Sequence, residues 1–302
     1  MTHEKIGICG LGRMGSAIAQ RLIAQGQQIA VWNRNSEKAK PLVEKGALSL
    51  GSPAEVARAC DIVITMLFDG EAVRQVYEGP DGLLSAGQKG RLFIDMSTIG
   101  PRTAISIGER VEASGSQFVE CPVGGTVGPA REGKLLGLAG GSAEAFARAR
   151  PILELLCRRI EHAGPVGAGS KLKLAVNLPL LVYWQALNEA LGLVTDIALS
   201  PDELIDLMAD TSGAPTAVKM RVAELAKLLS GHGEPTITFD ASGAAKDLRE
   251  MVTLARELDV PVPVTEAASA AFDKAIGGPL AGRDTMAMIE LNWTAARGGK
   301  RK

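Results

Sequence analysis

Apolar residues in the first half of the chain fall in short runs that alternate with stretches of helical spacing. Residues 5–9, 28–32, 61–67, 91–95, 117–120 and 135–139 read as strands, and the intervening patterns as helices and turns. Strands alternating with helices predict βαβ units and a parallel sheet. The run 61–67 is apolar on both faces, as buried parallel strands are. A helix follows the first strand and extends to about Gln25, where Gly26 supplies a left-handed cap.

The pattern changes after about His162. Beyond Ser170 no strand is expected, and period-3.6 spacing continues for over a hundred residues. The predicted architecture is therefore an α/β Rossmann-type N-terminal domain, residues 1–163, followed by an all-α C-terminal domain, residues 164–302. The Gly- and Pro-rich segment 164–169 marks the boundary, and a long interdomain helix starts at about residue 170 with Ser170 as its expected N-cap. Asn177, Gln185, Asn188 and Glu189 interrupt the apolar part of that helix, so it reads as buried in protein rather than in a bilayer.

A length of 302 residues allows two hydrophobic cores. The net charge of −1 sets up no global field toward nucleic acid or an anionic membrane, and neither partner is expected. The basic ending 297–302 reads as a solvated tail. Cysteines 9, 60, 121 and 157 show no paired spacing, so no disulfide is expected, in keeping with a reducing cytoplasm. Residues 1–5 run directly into the first strand, which predicts no signal peptide. His3, His162 and His232 are scattered, and no metal site is expected.

Gly10-Leu11-Gly12-Arg13-Met14-Gly15 matches G-x-G-x-x-G between a strand and a helix. In such a loop the first glycine makes the turn and the second admits a pyrophosphate close to the backbone. The third lets helix pack on strand, and the helix N-terminus attracts the anion. A dinucleotide that carries ribose 2′-hydroxyls is usually met by Asp or Glu at the end of the second strand. Here that place holds Asn33-Arg34-Asn35-Ser36. With no carboxylate to repel a 2′-phosphate, Arg34 offers a planar fork to it, and Asn33 and Ser36 add neutral donors. NADP(H) is the preferred cofactor, with NAD(H) possible; the alternative is that Arg34 stacks on adenine without selecting. Met66 and Leu67 end one strand and Thr98 stands at the end of another, where ligands of α/β sheets bind.

Lys173 and Asn177 stand four residues apart, on one face of the long helix, whereas Lys171 points elsewhere and reads as solvated. On spacing alone Lys173 is equally a surface lysine. Four ordered motifs change that reading. Gly10–Gly15, Glu120-Cys121-Pro122-Val123-Gly124-Gly125-Thr126, the Gly167–Asn177 segment and Lys246-Asp247-Leu248 together resemble the β-hydroxyacid dehydrogenases. That family includes 3-hydroxyisobutyrate dehydrogenase and tartronate semialdehyde reductase, and the resemblance extends to 6-phosphogluconate dehydrogenase-like proteins.

The resemblance implies that Lys173 is the catalytic acid and base and that Asn177 meets substrate. It also places Gly124, Gly125 and Thr126 at a substrate carboxylate and Lys246 at the cofactor. An ammonium near a carbonyl can donate a proton as hydride arrives, and burial would draw such a lysine toward working pH. Glu120-Cys121 and Gly124-Gly125-Thr126 depart from the family's Asp-Ala and Ser-Gly-Gly, which leaves the identity of the acid open. Lys246 alternatively pairs with Asp247 or Glu250 on its own helix, and Trp184 either lines a pocket or packs in the core.

The expected function is hydride transfer between NADP(H) and a small β-hydroxy acid or its semialdehyde. Two alternatives remain: an imine reductase-like enzyme, and a cofactor-binding module without catalysis. Relatives of both kinds tend to lack the lysine. A homodimer or homotetramer formed through the helical domain is expected, because one long apolar helix would leave faces uncovered in a monomer.

Overall fold

A computed structural model describes residues 4–298; residues 1–3, including His3, and the end of the basic tail, 299–302, lie outside the described residues. The chain divides into two compact units, one up to Leu174 and the other from Ala175.

The first unit is built from β1 (Ile6–Cys9), α1 (Arg13–Ala24), β2 (Ile29–Trp32), α2 (Lys40–Val43), β3 (Leu48–Ser49), α3 (Pro53–Ala59), β4 (Ile62–Thr65) and α4 (Gly70–Glu78). It continues through β5 (Leu92–Asp95), α5 (Pro101–Ala113), β6 (Gln117–Glu120), β7 (Val123–Gly124), α6 (Val127–Glu132), β8 (Leu135–Gly141), α7 (Ala143–Leu156) and β9 (Cys157–Gly164). One sheet runs in the order β3-β2-β1-β4-β5-β6-β8-β7, with β9 paired to β8. The six strands from β3 to β6 are mutually parallel, and β8 turns antiparallel to β6 and β7. The order reverses between β1 and β4, so a crevice opens outside their carboxyl ends, the ligand position in doubly wound sheets.

The pleat sends alternate residues to opposite faces, and both are covered. Ile6, Ile8, Ile62, Ile64, Leu92 and Ile94 pack with Ile18 and Leu22 of α1 and with α7. Cys9, Val63, Phe93 and Phe118 pack on the other side with Val56 of α3, Val73 and Tyr77 of α4 and Ile107 of α5.

The second unit is all-helical. It contains the rest of α8 (Ala168–Gly192), then α9 (Pro201–Asp210), α10 (Thr216–Lys219), α11 (Val222–Leu229), α12 (Ala241–Glu257), α13 (Pro263–Ile276) and α14 (Glu290–Ala296). Leu187, Leu191, Leu225, Leu228, Leu248, Phe272, Met286 and Trp293 are buried there. Trp184 is 4% exposed, a core position. Beyond Ser170 the described residues form no strand, only a bridge between Asp240 and Asp284. Among the described residues no helix is long and apolar enough to cross a membrane.

Two expectations are corrected. Strand β9, with Arg158, Arg159, Glu161 and His162 within it, was not expected, because a charged edge strand lacks an apolar run. Ser170 is not the N-cap of the long helix. The helix begins at Ala168, the Gly167 carbonyl accepts from the Lys171 N–H at 3.1 Å, and the Ser170 hydroxyl turns to a carboxylate of the sheet.

Candidate active site

The glycine loop sits where β1 meets α1. Gly10 adopts φ +101°, and a Cβ there would lie 2.4 Å from the Met66 carbonyl oxygen. A Cβ on Gly15 would lie 1.9 Å from the Gly10 carbonyl oxygen, so only glycine lets α1 close on the turn. Gly12 differs. It is exposed, and a Cβ there would meet nothing within 4 Å, so internal packing does not explain its missing side chain. A free approach to the backbone at a helix N-terminus fits a pyrophosphate. Leu11 is buried, Met14 half-buried and Arg13 exposed.

The segment after β2 braces this loop. The Asn33 side-chain oxygen accepts from the Leu11 N–H at 2.8 Å, and its amide donates to the Asn35 carbonyl at 2.9 Å. Asn35 in turn caps the short helix that starts at Ser36. Arg34 and Ser36 are exposed, and the nearby Glu37 is paired with Lys40 at 2.5 Å.

Across the crevice, the ends of β4 and β5 are linked through buried polar groups. Thr65 donates to an Asp95 carboxylate oxygen at 2.6 Å and stands 3.2 Å from the Tyr77 hydroxyl. Ser97 donates to the same oxygen at 2.7 Å and accepts from the Leu67 N–H at 2.9 Å. Burial, with the nearby Asp95 charge, pushes the Tyr77 phenol well above its ordinary pKa. This lattice holds the Met66-Leu67 segment beside Gly10. Thr98, half-buried, follows it.

At the end of β6, Glu120 is 1% exposed. One carboxylate oxygen accepts from the Gly167 N–H at 2.5 Å and the Gly169 N–H at 2.9 Å, and the other accepts a short hydrogen bond from the Ser170 hydroxyl. Burial raises the Glu120 carboxyl above its ordinary pKa, and the bonds from Ser170, Gly167 and Gly169 offset only part of that rise. One turn beyond Ser170, Lys173 is itself buried, at 6% exposure, and Lys171 is exposed. Gly124 ends β7, Gly125 takes φ +120° in the exposed turn, and Thr126 precedes α6.

Asn177 and Lys246 belong to the second unit. Asn177 donates to one oxygen of Asp247 at 3.3 Å, and Lys246 pairs with the other at 2.8 Å. The local pairing weighed for Lys246 thus forms, although the side chain is buried rather than on a helix surface. The expected cofactor residues of the first unit gather at the carboxyl ends of β1, β2, β4 and β5. Sequence reasoning missed Glu120, Ser170, Ser97 and Asp247 as organising groups. A glutamate directly after the apolar pair Phe118-Val119 was the available signal for the first of these, because a buried carboxylate demands partners. Among the described residues no group of three or more His, Cys, Asp or Glu could hold a metal ion.

A glycine loop at the switch point of a sheet whose strands run β3-β2-β1-β4-β5-β6, followed by a helical domain, defines a dinucleotide-binding protein of the doubly wound class. Residues 5–164 match the NAD binding domain of 6-phosphogluconate dehydrogenase, and residues 167–292 match the NAD-binding domain of NADP-dependent 3-hydroxyisobutyrate dehydrogenase. The chain is 36% identical to glyoxylate/succinic semialdehyde reductase 1 of Arabidopsis thaliana, covering 95% of this chain and 97% of that one. It is 34% identical to 3-sulfolactaldehyde reductase of Escherichia coli (strain K12), covering 94% of each. The solved 3-hydroxyisobutyrate dehydrogenase of Mycobacterium tuberculosis, with L-serine, superposes with a TM-score of 0.83 at 28% identity, covering 96% of this chain and 99% of that one. The chain belongs to the β-hydroxyacid dehydrogenase family, and it is an NAD(P)-dependent dehydrogenase or reductase.

Proposed function

We propose that the protein transfers hydride between NADP(H) and a small β-hydroxy acid or its semialdehyde, with Lys173 as general acid and base. The observation that carries this reading is the burial of Lys173 on the helix whose first turn is bonded to the end of β6. A lysine buried to this degree is not the solvated surface residue that spacing alone allows. The semialdehydes and aldehydes named for the relatives supply the substrate class.

The loop from Gly10 to Gly15 binds the pyrophosphate through backbone N–H groups, with Leu11, Gly12, Arg13 and Met14 at the turn. Arg34 and Ser36 meet the 2′-phosphate, and Met66, Leu67 and Thr98 line the nicotinamide side. The nicotinamide supplies hydride at C4. The Lys173 ammonium holds the carbonyl oxygen and delivers a proton to it as negative charge develops; in the reverse direction its neutral amine takes the hydroxyl proton. Gly124, Gly125 and Thr126 receive the substrate carboxylate on backbone N–H groups, and Asn177 holds the rest of the acid. Lys246 serves the cofactor. The proposal divides the chain into a cofactor domain, 1–163, and a substrate and oligomerisation domain, 164–302. It also includes a cytoplasmic homodimer or homotetramer, supported by four buried, unpaired thiols and by exposed Leu193, Leu207, Met220 and Val264 in the helical unit.

Lys173→Ala tests it. Turnover with a panel of semialdehydes should fall by roughly 10²- to 10⁴-fold while NADPH affinity holds. Unchanged turnover would overturn the mechanism.

A further inference from the structure

A carboxylate with almost no solvent access is costly unless donors surround it. Glu120 meets this demand with three donors, and all of them come from one place, the start of α8: the Gly167 N–H, the Gly169 N–H and the Ser170 hydroxyl. Every partner is a donor, and the carboxylate sits at the positive end of a long helix, so the pocket offsets part of the cost of burying it.

The surroundings leave little freedom. A Cβ on Gly140 would lie 2.4 Å from the Glu120 carboxylate, and one on Gly169 would lie 2.3 Å from the Leu138 carbonyl oxygen. The helix start is therefore pressed against the backbone of β8 with the carboxylate between them. Ser170 and Lys173 are three residues apart, on one face of the helix and about 4.5 Å along its axis. Over a single turn a hydrogen-bonded helix moves as a unit. What fixes Ser170 also fixes the root of the lysine.

We infer that Glu120 is a positioning residue: by clamping Gly167, Gly169 and Ser170 to the end of β6, it sets where the Lys173 amine stands. The inference rests on the acid-base reading of Lys173 given above.

The test uses the full chain carrying Glu120→Ala, Glu120→Gln or Ser170→Ala, each also combined with Lys173→Ala. Glu120→Ala should lower kcat about 10-fold or more, with NADPH affinity by fluorescence within about 2-fold of the parent, since small displacements of a reacting group are costly. Glu120→Gln should restore most of kcat, because its amide still accepts from the two backbone N–H groups and can donate to Ser170. In the Lys173→Ala background, Glu120→Ala should cost little more, the non-additivity of residues that act as one. If Glu120→Ala proves unfolded by circular dichroism, Ser170→Ala carries the comparison, with a smaller loss that vanishes in the Lys173→Ala background. Wild-type kcat in Glu120→Ala, beside a dead Lys173→Ala, overturns the clamp alone. So does an equal loss in both backgrounds. Full turnover by Lys173→Ala overturns the lysine's role and the clamp with it.

Discussion

The side-chain oxygen of Asn33, at the end of β2, accepts the backbone N–H of Leu11 at 2.8 Å, joining two segments 22 residues apart. Its amide donates to the Asn35 carbonyl, so both ends of the group are engaged within the protein. An effect of Asn33 on cofactor binding is then expected to run through the shape of the glycine loop.

Asn33→Ala removes that brace, a hydrogen bond with a net contribution of about 1 kcal/mol. NADPH affinity, measured by fluorescence titration, should weaken about 5-fold while the far-ultraviolet circular dichroism stays unchanged. An unaltered affinity would mean that the glycines alone hold the loop.

The glycines of the loop should separate into two kinds. Gly15→Ala drives a Cβ into the Gly10 carbonyl, so its Tm should drop by several degrees, as expected for overpacking of about 1–3 kcal/mol. Gly12→Ala meets no protein atom, so its Tm should match the parent while NADPH binding weakens. Equal NADPH affinity in Gly12→Ala would place the pyrophosphate elsewhere.

Arg34 lies exposed beside the loop, and the carboxylate nearest in sequence, Glu37, is engaged by Lys40. Arg34→Ala should weaken NADPH about 10-fold or more and leave NADH nearly unaffected, because a charge-assisted bond to phosphate is among the stronger ones. Matching losses for both cofactors would return Arg34 to stacking on adenine.

Burial pushes the thiols of Cys60 and Cys157 up to about 11 and about 12, and raises those of Cys9 and Cys121 as well. The folded chain therefore holds these protons more tightly than the unfolded chain, whose thiols titrate near their ordinary value. Stability contributed by the neutral thiols is complete below the unfolded value and is lost as pH rises through the folded ones. Native protein should react negligibly with a thiol reagent at pH 8, and denatured protein should react at four cysteines. Rapid labelling of the native chain would contradict this burial.

Much of the fold was legible because its signals are local. The runs at β1, β2, β4, β5 and β6 lie within a few residues of their observed limits, and Gly26 takes φ +75° as a helix-ending glycine does. Strand β9 carries no local signal because an edge strand needs only one covered face, and its charged residues disguise the apolar ones. The start of α8 was misplaced by two residues because Ser170 looks like a cap, while its hydroxyl had a stronger acceptor fifty residues away.

The amino-acid sequence by itself determined the class of each half, the place of the dinucleotide loop and the helix that bears Lys173. Periodicity, turn glycines and motif spacing act over a few residues and need no knowledge of distant partners. Only the tertiary structure decided that Asn33 braces Leu11, that Asp95 ties the ends of β4 and β5 through Thr65 and Ser97, and that Glu120 seizes the start of α8. Apart from the local Ser97–Asp95 bond, those contacts join residues from 22 to 50 positions apart, and hydrogen bonding at that separation follows from how the sheet brings strand ends together, which no local pattern encodes.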